Sequence, residues 1–182
     1  MACSYGCFDE AEQLDEVSPG PVRDEEVLCR SAFGKKAHYN NSGPKAGFIN
    51  NKDLLAGTLS VWRRLDGTPQ EMDDIREQLF PPEGNALWDV FGAKAGDIRS
   101  IRASNEPTLQ ALHAYDDCRT DNSGGKHRKH AVLAICQAFS PSSLSKDDSI
   151  YVEIRDALFR MLLKSSPQWS LPDGERTASV SQ

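Results

Sequence analysis

The sequence predicts a single α+β domain with a mixed or mostly antiparallel sheet, one capped middle helix and a C-terminal amphipathic helix. Three observations lead to this prediction. The 182 residues suffice for one domain of ordinary size. Five short segments have the length and composition of strands, and two segments repeat apolar residues every three or four positions. Their order, in which three strands separate the two helices, is typical of an α+β fold.

The first two strands are predicted on either side of a long connection. Residues 27–33 alternate between two faces, which places Arg30 on the face opposite the odd-numbered residues. Residues 34–57 contain a concentrated turn signal and form the connection, with Phe48 predicted to fasten it to the core. Residues 58–63 are rich in β-branched and aromatic side chains and form the second predicted strand.

The clearest helix start in the chain lies at residues 68–71. Thr68 is predicted to cap the helix, Pro69 to occupy its first position and Glu71 to complete a capping box. The two prolines that follow Phe80 end the helix. Its buried side is predicted to consist of Met72, Ile75 and Leu79.

Further strands and a final helix are predicted in the second half of the chain. Residues 98–101 and 109–115 are strand candidates, and residues 86–91 fit either a short helix or a strand. The apolar run 131–136 predicts a central strand that is buried on both faces. The last helix begins at an aspartate cap within residues 147–148. Its apolar stripe consists of Ile150 or Tyr151, Ile154, Ala157, Leu158, Met161 and Leu162.

Charge divides the chain into three parts. Residues 1–26 hold eight acids and one base, a net charge of −7, whereas the other 156 residues carry +1. We therefore predict an acidic, partly disordered leader at residues 1–26; the alternative is an arm that docks on a basic patch of this chain or of a partner. The core domain is predicted at residues 27–164. A flexible tail is predicted at residues 165–182, where Trp169 is expected to pack back onto the body.

Composition argues against several classes of protein. No apolar run reaches the length that a membrane span requires, and the first ten residues lack the basic and apolar regions of a secretory signal. Five cysteines without dense spacing argue against a disulfide scaffold, so we expect a reducing, cytoplasmic location. The net charge of −6 argues against a surface dedicated to nucleic acid, and no membrane partner is expected.

Positive charge is concentrated behind two glycines in residues 126–130, which we call the basic tip. Its candidate binding residues are Lys126, His127, Arg128 and Lys129. Such side chains beside glycine amides suit an anion or a nucleic-acid backbone, although the spacing is not that of a P-loop. Three interpretations remain open. The tip is a solvated hairpin, a docking site for an acidic protein segment or the leader, or a contact for a nucleotide or nucleic acid.

The residues of a second constellation are Arg30, His38, Tyr39, Ser60 and Arg63. One interpretation has them converge on one cleft, as in ADP-ribosyltransferase-like folds, where comparable residues hold a dinucleotide. That chemistry needs a carboxylate beside the reacting centre, and the later acids Glu106 and Glu153 are poorly placed for it. The other interpretation has both arginines pair with local carboxylates on the sheet surface. The candidate binding residues here are His38 and Tyr39.

Metal binding and covalent catalysis are not predicted. The cysteines and histidines within residues 118–136 have a spacing that matches no familiar zinc module. Cys3 and Cys7 could share a metal with Cys29, but Cys29 lies inside a predicted strand. The nucleophile and zinc motifs G-x-S-x-G and H-E-x-x-H are absent from the sequence. We therefore predict no metal and no cofactor.

Four short strings resemble a pattern in a family of small uncharacterised bacterial proteins. These strings are residues 28–30, 45–48, 59–63 and 130–132. They match a strand with arginine, a turn leading to a buried phenylalanine, an L-S-V-x-R strand and a histidine–alanine pair before an apolar strand. The resemblance implies a bacterial or phage origin, a body between two tails and an accessory role in a defence or mobile-element system. The chain departs from the pattern at residues 124–129, where the family has an Asn-Pro turn.

The sequence favours a bacterial cytoplasmic accessory or adaptor protein that acts by binding another protein. This hypothesis follows from the lack of a complete catalytic set and from the separation of charge between the leader and the basic tip. One alternative is a non-catalytic nucleic-acid binder that uses the basic tip. Another is a small enzyme acting on a nucleotide or nucleic acid. Its candidate catalytic residues are Arg30, Ser60, Arg63 and His130.

Overall fold

A six-stranded antiparallel sheet forms the centre of the computed structural model, which describes residues 10, 18–79, 86–120, 126–172 and 176. In chain order the strands are β1 (Val27–Phe33), β2 (Tyr39–Asn40), β3 (Gly43–Pro44), β4 (Leu59–Arg64), β5 (Leu87–Lys94), β6 (Leu112–Asp116), β7 (Arg119–Thr120), β8 (Lys126–His127), β9 (His130–Ile135) and β10 (Trp169–Ser170). The sheet order is β10-β5-β1-β4-β9-β6, with antiparallel neighbours throughout. The predicted α+β class with a mostly antiparallel sheet is confirmed.

Helices and small hairpins surround this sheet. The helices of the described residues are α1 (Asn51–Leu55), α2 (Pro69–Glu77), α3 (Ala95–Arg99) and α4 (Ser149–Leu163). Short 3₁₀ turns occupy Ala46–Phe48, Gln137–Phe139 and Pro141–Ser143, and the pairs β2–β3 and β7–β8 form separate two-stranded hairpins. None of the described helices combines the length and the apolar character that a bilayer crossing needs.

Two hydrophobic clusters cover the two faces of the sheet, because alternate residues of each strand point in opposite directions. On the first face, which we call the α4 face, Leu28, Phe91 and Leu133 pack with Ile154 and Leu158 of α4, and all five are buried. The second face, which we call the α2 face, packs against α2. Its buried residues are Cys29, Trp62, Val90, Met72, Ile75 and Leu79. Burial of both clusters stabilises the sheet between its helices.

Strands β1 and β4 cover nearly the residues predicted for them, but they pair along only part of their length. The register runs from Val27 opposite Arg64 to Cys29 opposite Trp62 and then ends. Beyond that point β1 continues to pair with β5, and β4 pairs with β9. The carbonyl of Ser60, past the end of the register, accepts a hydrogen bond from a side chain of β1.

The predicted cap of α2 is confirmed, but Glu71 does not complete a capping box. The Thr68 hydroxyl oxygen accepts a hydrogen bond from the Glu71 amide at 3.2 Å, and Pro69 begins the helix. The Glu71 carboxylate instead accepts hydrogen bonds from the three successive amides of residues 65–67, at 2.6 to 2.8 Å. Three amides of the preceding turn satisfy a buried carboxylate better than one amide at Thr68, which explains the difference.

The strand predicted at residues 98–101 is wrong, because this part of the chain turns into a helix. Residues 95–99 form α3 directly after β5, and Ala95 and Ile98 are both buried. Two isoleucines three positions apart fit a helical turn as well as a strand, so the short pattern could not distinguish them. Residues 86–91, which were ambiguous, belong largely to β5.

The long connection at residues 34–57 contains more regular structure than its turn signals indicated. It includes the β2–β3 hairpin and α1, and Phe48 is fully buried beneath it, as predicted. The apolar run 131–136 largely forms β9, which lies between β4 and β6. Val132 and Ala134 are only half-buried, so this strand is not buried on both faces. The predicted helix end at residues 80–82 lies outside the described residues.

Residues from both predicted tails pack against the body. Trp169 and Ser170 pair with β5 at the edge of the sheet, and the guanidinium of Arg76 lies 3.9 Å from the centroid of the Trp169 ring. At the other end, Val22 is 5% exposed and belongs to the larger cluster. The expected packing of Trp169 onto the body is present in the structure.

Candidate functional site

The four candidate catalytic residues divide between the two faces of the sheet, two on each face. Arg63 stands opposite Leu28 in the β1–β4 register, and Arg30 follows Leu28 by two positions, so both arginines belong to the α4 face. Ser60 and His130 belong to the α2 face, where His130 stands opposite Trp62 of β4. The structure therefore does not bring these four side chains into one cleft.

Arg63 is buried, and each of its side-chain nitrogens is engaged. Nε and Nη2 donate to the two carboxylate oxygens of Glu26 at 2.8 and 2.9 Å, and Nη1 donates to the carboxylate of Asp116. Nη1 and Nη2 also donate to the carbonyls of Gly20 and Pro21. Arg63 therefore follows the second interpretation, in which the arginines pair with carboxylates. Its carboxylate partners, however, lie in the core and not on the sheet surface. Arg63 thereby holds residues 20–26 against the sheet.

Glu26 remains a carboxylate despite its burial. Loss of water raises the pKa of Glu26, but its hydrogen bonds, foremost the one from Arg63, outweigh that effect and lower the pKa below its usual value. Arg23 Nε also donates to Glu26 at 3.0 Å, so the network holds two carboxylates and two guanidiniums and its charges are compensated.

Arg30 does meet Ser60, although only through the backbone. Its Nη1 donates to the Ser60 carbonyl at 2.7 Å, and its Nε donates to the Phe48 carbonyl at 3.2 Å. Burial lowers the pKa of Arg30 to about 10, so the guanidinium keeps its charge at neutral pH. Within the described part of the chain, no carboxylate forms an ion pair with Arg30. Arg30 is therefore a half-buried cation held by neutral groups.

His38 lies beside Arg30, as the second constellation requires. The two residues share a neighbour, because the His38 and Phe48 rings are 6.4 Å apart and Phe48 also accepts a hydrogen bond from Arg30. The Nδ1 atom of His38 accepts a hydrogen bond from the Phe33 amide at 2.9 Å. Burial, followed by the charges of Lys35 and Arg30, lowers the pKa of His38 to about 4. His38 is consequently neutral at physiological pH.

Tyr39 belongs to a separate cluster. Its hydroxyl donates to Asp89, and its ring lies 4.9 Å from the ring of Trp88. Arg176 donates to the other Asp89 oxygen at 2.7 Å and sits 5.7 Å from the Trp88 ring centroid. Burial, together with the hydrogen bond to Asp89, raises the pKa of Tyr39. The cluster joins Arg176 to β5, and Tyr39 is not part of the Arg30 environment.

The basic tip is partly engaged within the protein. Lys129 Nζ lies 3.0 Å from the carboxylate of Glu71, whose side chain is 1% exposed. The rings of His127 and His130 both stand edge-on to Trp62, with centroids 5.6 and 5.4 Å away. Arg128 is exposed. The side chain of Lys126 lies outside what the structure describes, so the tip presents Arg128 and part of Lys129 to solvent.

Acids of the predicted leader contact the body of the same chain. Glu10 accepts a hydrogen bond from Arg99 Nε at 3.0 Å and lies 3.0 Å from His113 Nδ1. Asp24 accepts from Arg99 Nη1 at 2.6 Å. Burial raises the pKa of Glu10, but hydrogen bonds from His113 and Arg99 outweigh it and lower the pKa below its usual value. Arg99 is thus a basic partner of the leader within this chain.

A groove of about 520 Å³ lies at the carboxyl end of α4, and it was not predicted from the sequence. We call it the α4 groove. Its lining residues are Ile101, Ala157, Arg160, Met161, Leu163 and Lys164. Leu158 and Leu162 face the sheet, whereas Ala157, Met161 and Leu163 are only half-buried.

One sequence feature indicates this groove: the apolar residues of α4 cover more of the helix circumference than one buried stripe needs. Residues outside the buried stripe, such as Leu163, are apolar where a helix with one solvent face would be polar. Arg160 and Lys164 flank the apolar lining and are exposed. Neither cation forms an ion pair with any residue in the described ranges. The α4 groove therefore combines apolar surface with uncompensated positive charge.

Within the described residues, no group of three or more histidine, cysteine, aspartate or glutamate side chains is placed to hold a metal ion. Cys29, Cys118 and Cys136 are buried, and burial raises the pKa of the Cys29 thiol to about 12. Cys3 and Cys7 lie outside the described residues. No family model, curated protein or solved structure matches this chain. Its function must therefore be inferred from the geometry of the sites above.

Proposed function

We propose that this protein is an adaptor that binds an apolar segment with acidic flanks, carried by another protein, in the α4 groove. The observation that carries this proposal is the combination of half-buried apolar side chains with two exposed cations that lack partners in the described structure. An apolar groove along a helix is a common docking site for an amphipathic segment. Cations beside it select partners that carry acids.

Apolar contacts and charge have different parts in this binding. Covering Ala157, Met161 and Leu163 would remove apolar surface from water, at roughly 25 cal/mol for each Å² buried. Arg160 and Lys164 would attract acidic residues at the ends of the segment and reject basic ones. We therefore expect affinity to come mainly from the apolar lining and selectivity from the two cations.

The proposal places the protein in the cytoplasm of a bacterium, as an accessory to a larger complex in a defence or mobile-element system. Two observations support this setting. The strings at residues 28–30, 45–48, 59–63 and 130–132 resemble small bacterial proteins. Cys29 is a buried free thiol, which suits a reducing compartment.

The two alternatives from the sequence have less support. The enzyme would need Arg30, Ser60, Arg63 and His130 in one site, but these residues divide between the two faces of the sheet. The nucleic-acid binder would need a free basic tip, but Lys129 is bound to Glu71. The α4 groove, in contrast, brings its apolar lining and its two exposed cations together in one place.

A peptide-display experiment tests the proposal directly. The full chain is screened against helical peptides that share an apolar stripe and differ in carrying acidic, neutral or basic flanks. We expect binding of the acidic peptides alone. The double variant Arg160→Glu/Lys164→Glu should weaken that binding at least about tenfold, which corresponds to 1.4 kcal/mol.

A matched control keeps the change in net charge the same. Lys52→Glu/Lys146→Glu also replaces two exposed cations, at positions outside the groove lining, and should bind the acidic peptides like the unmodified chain. Equal binding of acidic and basic peptides, or equal loss in both double variants, would contradict the proposal. A groove filled by a second copy would appear as a dimer in light scattering and would also contradict it.

A further inference from the structure

Residues 27–52 carry positive charge without a compensating acid. This stretch contains Arg30, Lys35, Lys36, Lys45 and Lys52 and no aspartate or glutamate. It forms β1 and most of the connection that follows, and Lys35 and Lys36 lie within three residues of the end of β1. Such grouping raises the local positive potential and attracts anions.

Arg30 lies at the base of this segment and is held in a fixed orientation. Hydrogen bonds to the Phe48 and Ser60 carbonyls use its Nε and Nη1 atoms. A guanidinium has five N–H donors, so donors remain on its outer edge. Arg63 on the same face is neutralised by two carboxylates, whereas no ion pair of Arg30 exists among the described residues. Asp53 interacts electrostatically with Arg30 without contacting it.

His38 supplies a second donor at the same place. Its Nδ1 atom accepts a hydrogen bond from the Phe33 amide, so the proton of the neutral ring is on Nε2. His38 is 6% exposed, and Nε2 has no hydrogen-bond partner in the part of the chain that the structure describes. The Nε2 atom itself reaches solvent, because it does not belong to the buried polar atoms that lack a partner, and it can therefore donate to a bound anion.

Lys35 completes the group. Its Nζ lies 6.0 Å from the centroid of the Phe33 ring, and the Phe33 and His38 rings are 5.8 Å apart. His38 therefore shares Phe33 as a neighbour with Lys35 and Phe48 with Arg30, and its own amide donates to the Lys35 carbonyl at 2.8 Å. The charges of both cations reach the imidazole, since both lower its pKa.

We propose that Arg30, Lys35 and His38 form a binding site for a small oxyanion of the phosphate class. Arg30 would donate from the outer edge of its guanidinium, and His38 would donate from Nε2. Lys35 would contribute a mobile positive charge. Hydrogen bonds from a cation to an anion are stronger than those between neutral groups, and a phosphate accepts several of them at once. The site is separate from the α4 groove and does not depend on the proposed function.

Titration of the full chain with inorganic phosphate, followed by NMR of the His38 ring, tests this proposal. We expect a saturable shift of the His38 signals with a dissociation constant of about 1 mM or lower. Arg30→Gln and Lys35→Gln should each weaken binding about tenfold. Lys35 is only half-buried, so its variant tests the site even if Arg30→Gln fails to fold.

Two controls and one comparison complete the experiment. Arg102, like Arg30, donates to backbone carbonyls, and Arg102→Gln should leave phosphate binding unchanged. The groove variant Arg160→Glu/Lys164→Glu should also bind phosphate normally. Equal affinity for phosphate and AMP would identify the phosphate group alone as the ligand, and tighter AMP binding would identify a nucleotide; both support the site. Absence of a saturable shift, or a shift unaffected by Arg30→Gln and Lys35→Gln, would overturn the proposal.

Discussion

Arg30 and Arg63 stand on the same face of neighbouring strands, and their surroundings differ in a way that matters for stability. Arg63 is 1% exposed and contacts two buried carboxylates, of which Glu26 also binds Arg23. Arg30 is half-buried and contacts two neutral carbonyls. Removing Arg63 would leave Asp116 buried without its guanidinium and Glu26 with only the exposed Arg23, whereas removing Arg30 would leave two carbonyls without a donor.

Replacing Arg63 should therefore be strongly destabilising. We expect Arg63→Met to lower the free energy of unfolding by about 3–5 kcal/mol, because Asp116 stays buried without its partner and Glu26 keeps only the exposed Arg23. Urea unfolding followed by circular dichroism measures this. Combining Arg63→Met with Glu26→Gln and Asp116→Asn should recover part of the loss, since amides need no counter-charge. A loss below about 1 kcal/mol in the single variant would show that the network is not a major source of stability.

His38 gives the protein a pH dependence of known sign. Its pKa falls from 6.5 in the unfolded chain to about 4 in the folded protein. Between these values the unfolded chain binds the extra proton, so stability decreases as the pH falls from 6.5 towards 4. We expect a loss of about 1–2 kcal/mol by the middle of this range.

Urea midpoints measured across the range test this expectation. His38→Gln keeps a side-chain acceptor near the Phe33 amide and removes the titrating ring, so its midpoint should vary less with pH. An unchanged slope in this variant would assign the pH dependence to other groups.

Single side chains show where prediction from sequence succeeds and where it stops. Alternation placed Arg30 on the face opposite the odd-numbered residues of β1, and the structure has it there. Alternation could not show that Arg63 would meet Glu26, 37 residues earlier, and Asp116, 53 residues later. The sheet face on which a side chain lies depends on local strand geometry. Its ion-pair partners depend on how strands that are distant in sequence are ordered in the sheet.

At the scale of elements, long periodic segments were predictable and short ones were not. The stripe of α4 and the cap of α2 each rest on several residues that agree. The cap is present in the structure, and most of the stripe is buried, although Ala157 and Met161 are only half-buried. α3 has five residues, too few for a period to be read, and its apolar residues fit two interpretations. The α4 groove was missed because a buried stripe and a half-buried flank are both apolar in sequence.

The cap of α2 makes a measurable contribution to stability. Thr68→Ala removes the acceptor of the Glu71 amide and should cost about 1 kcal/mol of unfolding free energy. Thermal unfolding at fixed pH measures the change. Thr68→Ser keeps the hydroxyl and should remain close to the unmodified chain. Equal losses in the two variants would mean that the methyl group of Thr68, and not its hydroxyl, is the source of the effect.

At the scale of the whole molecule, the acidic residues before β1 fall into two groups. Glu10 is joined to Arg99 and His113 near β6, whereas Glu26 is joined to Arg63 in the core. The carbonyls of Gly20 and Pro21 add to the second group. The charge count of residues 1–26 indicated one acidic leader, but it could not show that residues 20–26 are part of the folded body.

Two truncations separate these groups. Deletion of residues 1–17 removes Glu10 and its partly exposed ion pair, and we expect a loss of about 1 kcal/mol. Deletion of residues 1–26 also removes Glu26 and two carbonyl acceptors of Arg63, and we expect most of the chain to be unfolded at room temperature. Circular dichroism and thermal unfolding compare the two. Similar stability of both truncations would show that residues 18–26 are dispensable for folding.

The ion network around Arg63 also bears on how the chain acquires its shape during synthesis. Glu26 and Arg63 leave the ribosome first, and the carboxylate of Asp116 follows 53 residues after Arg63. The strand β4 also lacks its neighbour β9 until residues 130–135 have been made, after Asp116. The amino-terminal half must therefore wait for the carboxyl-terminal half, and a nascent chain halted midway exposes a charged, unfinished sheet edge to chaperones and proteases.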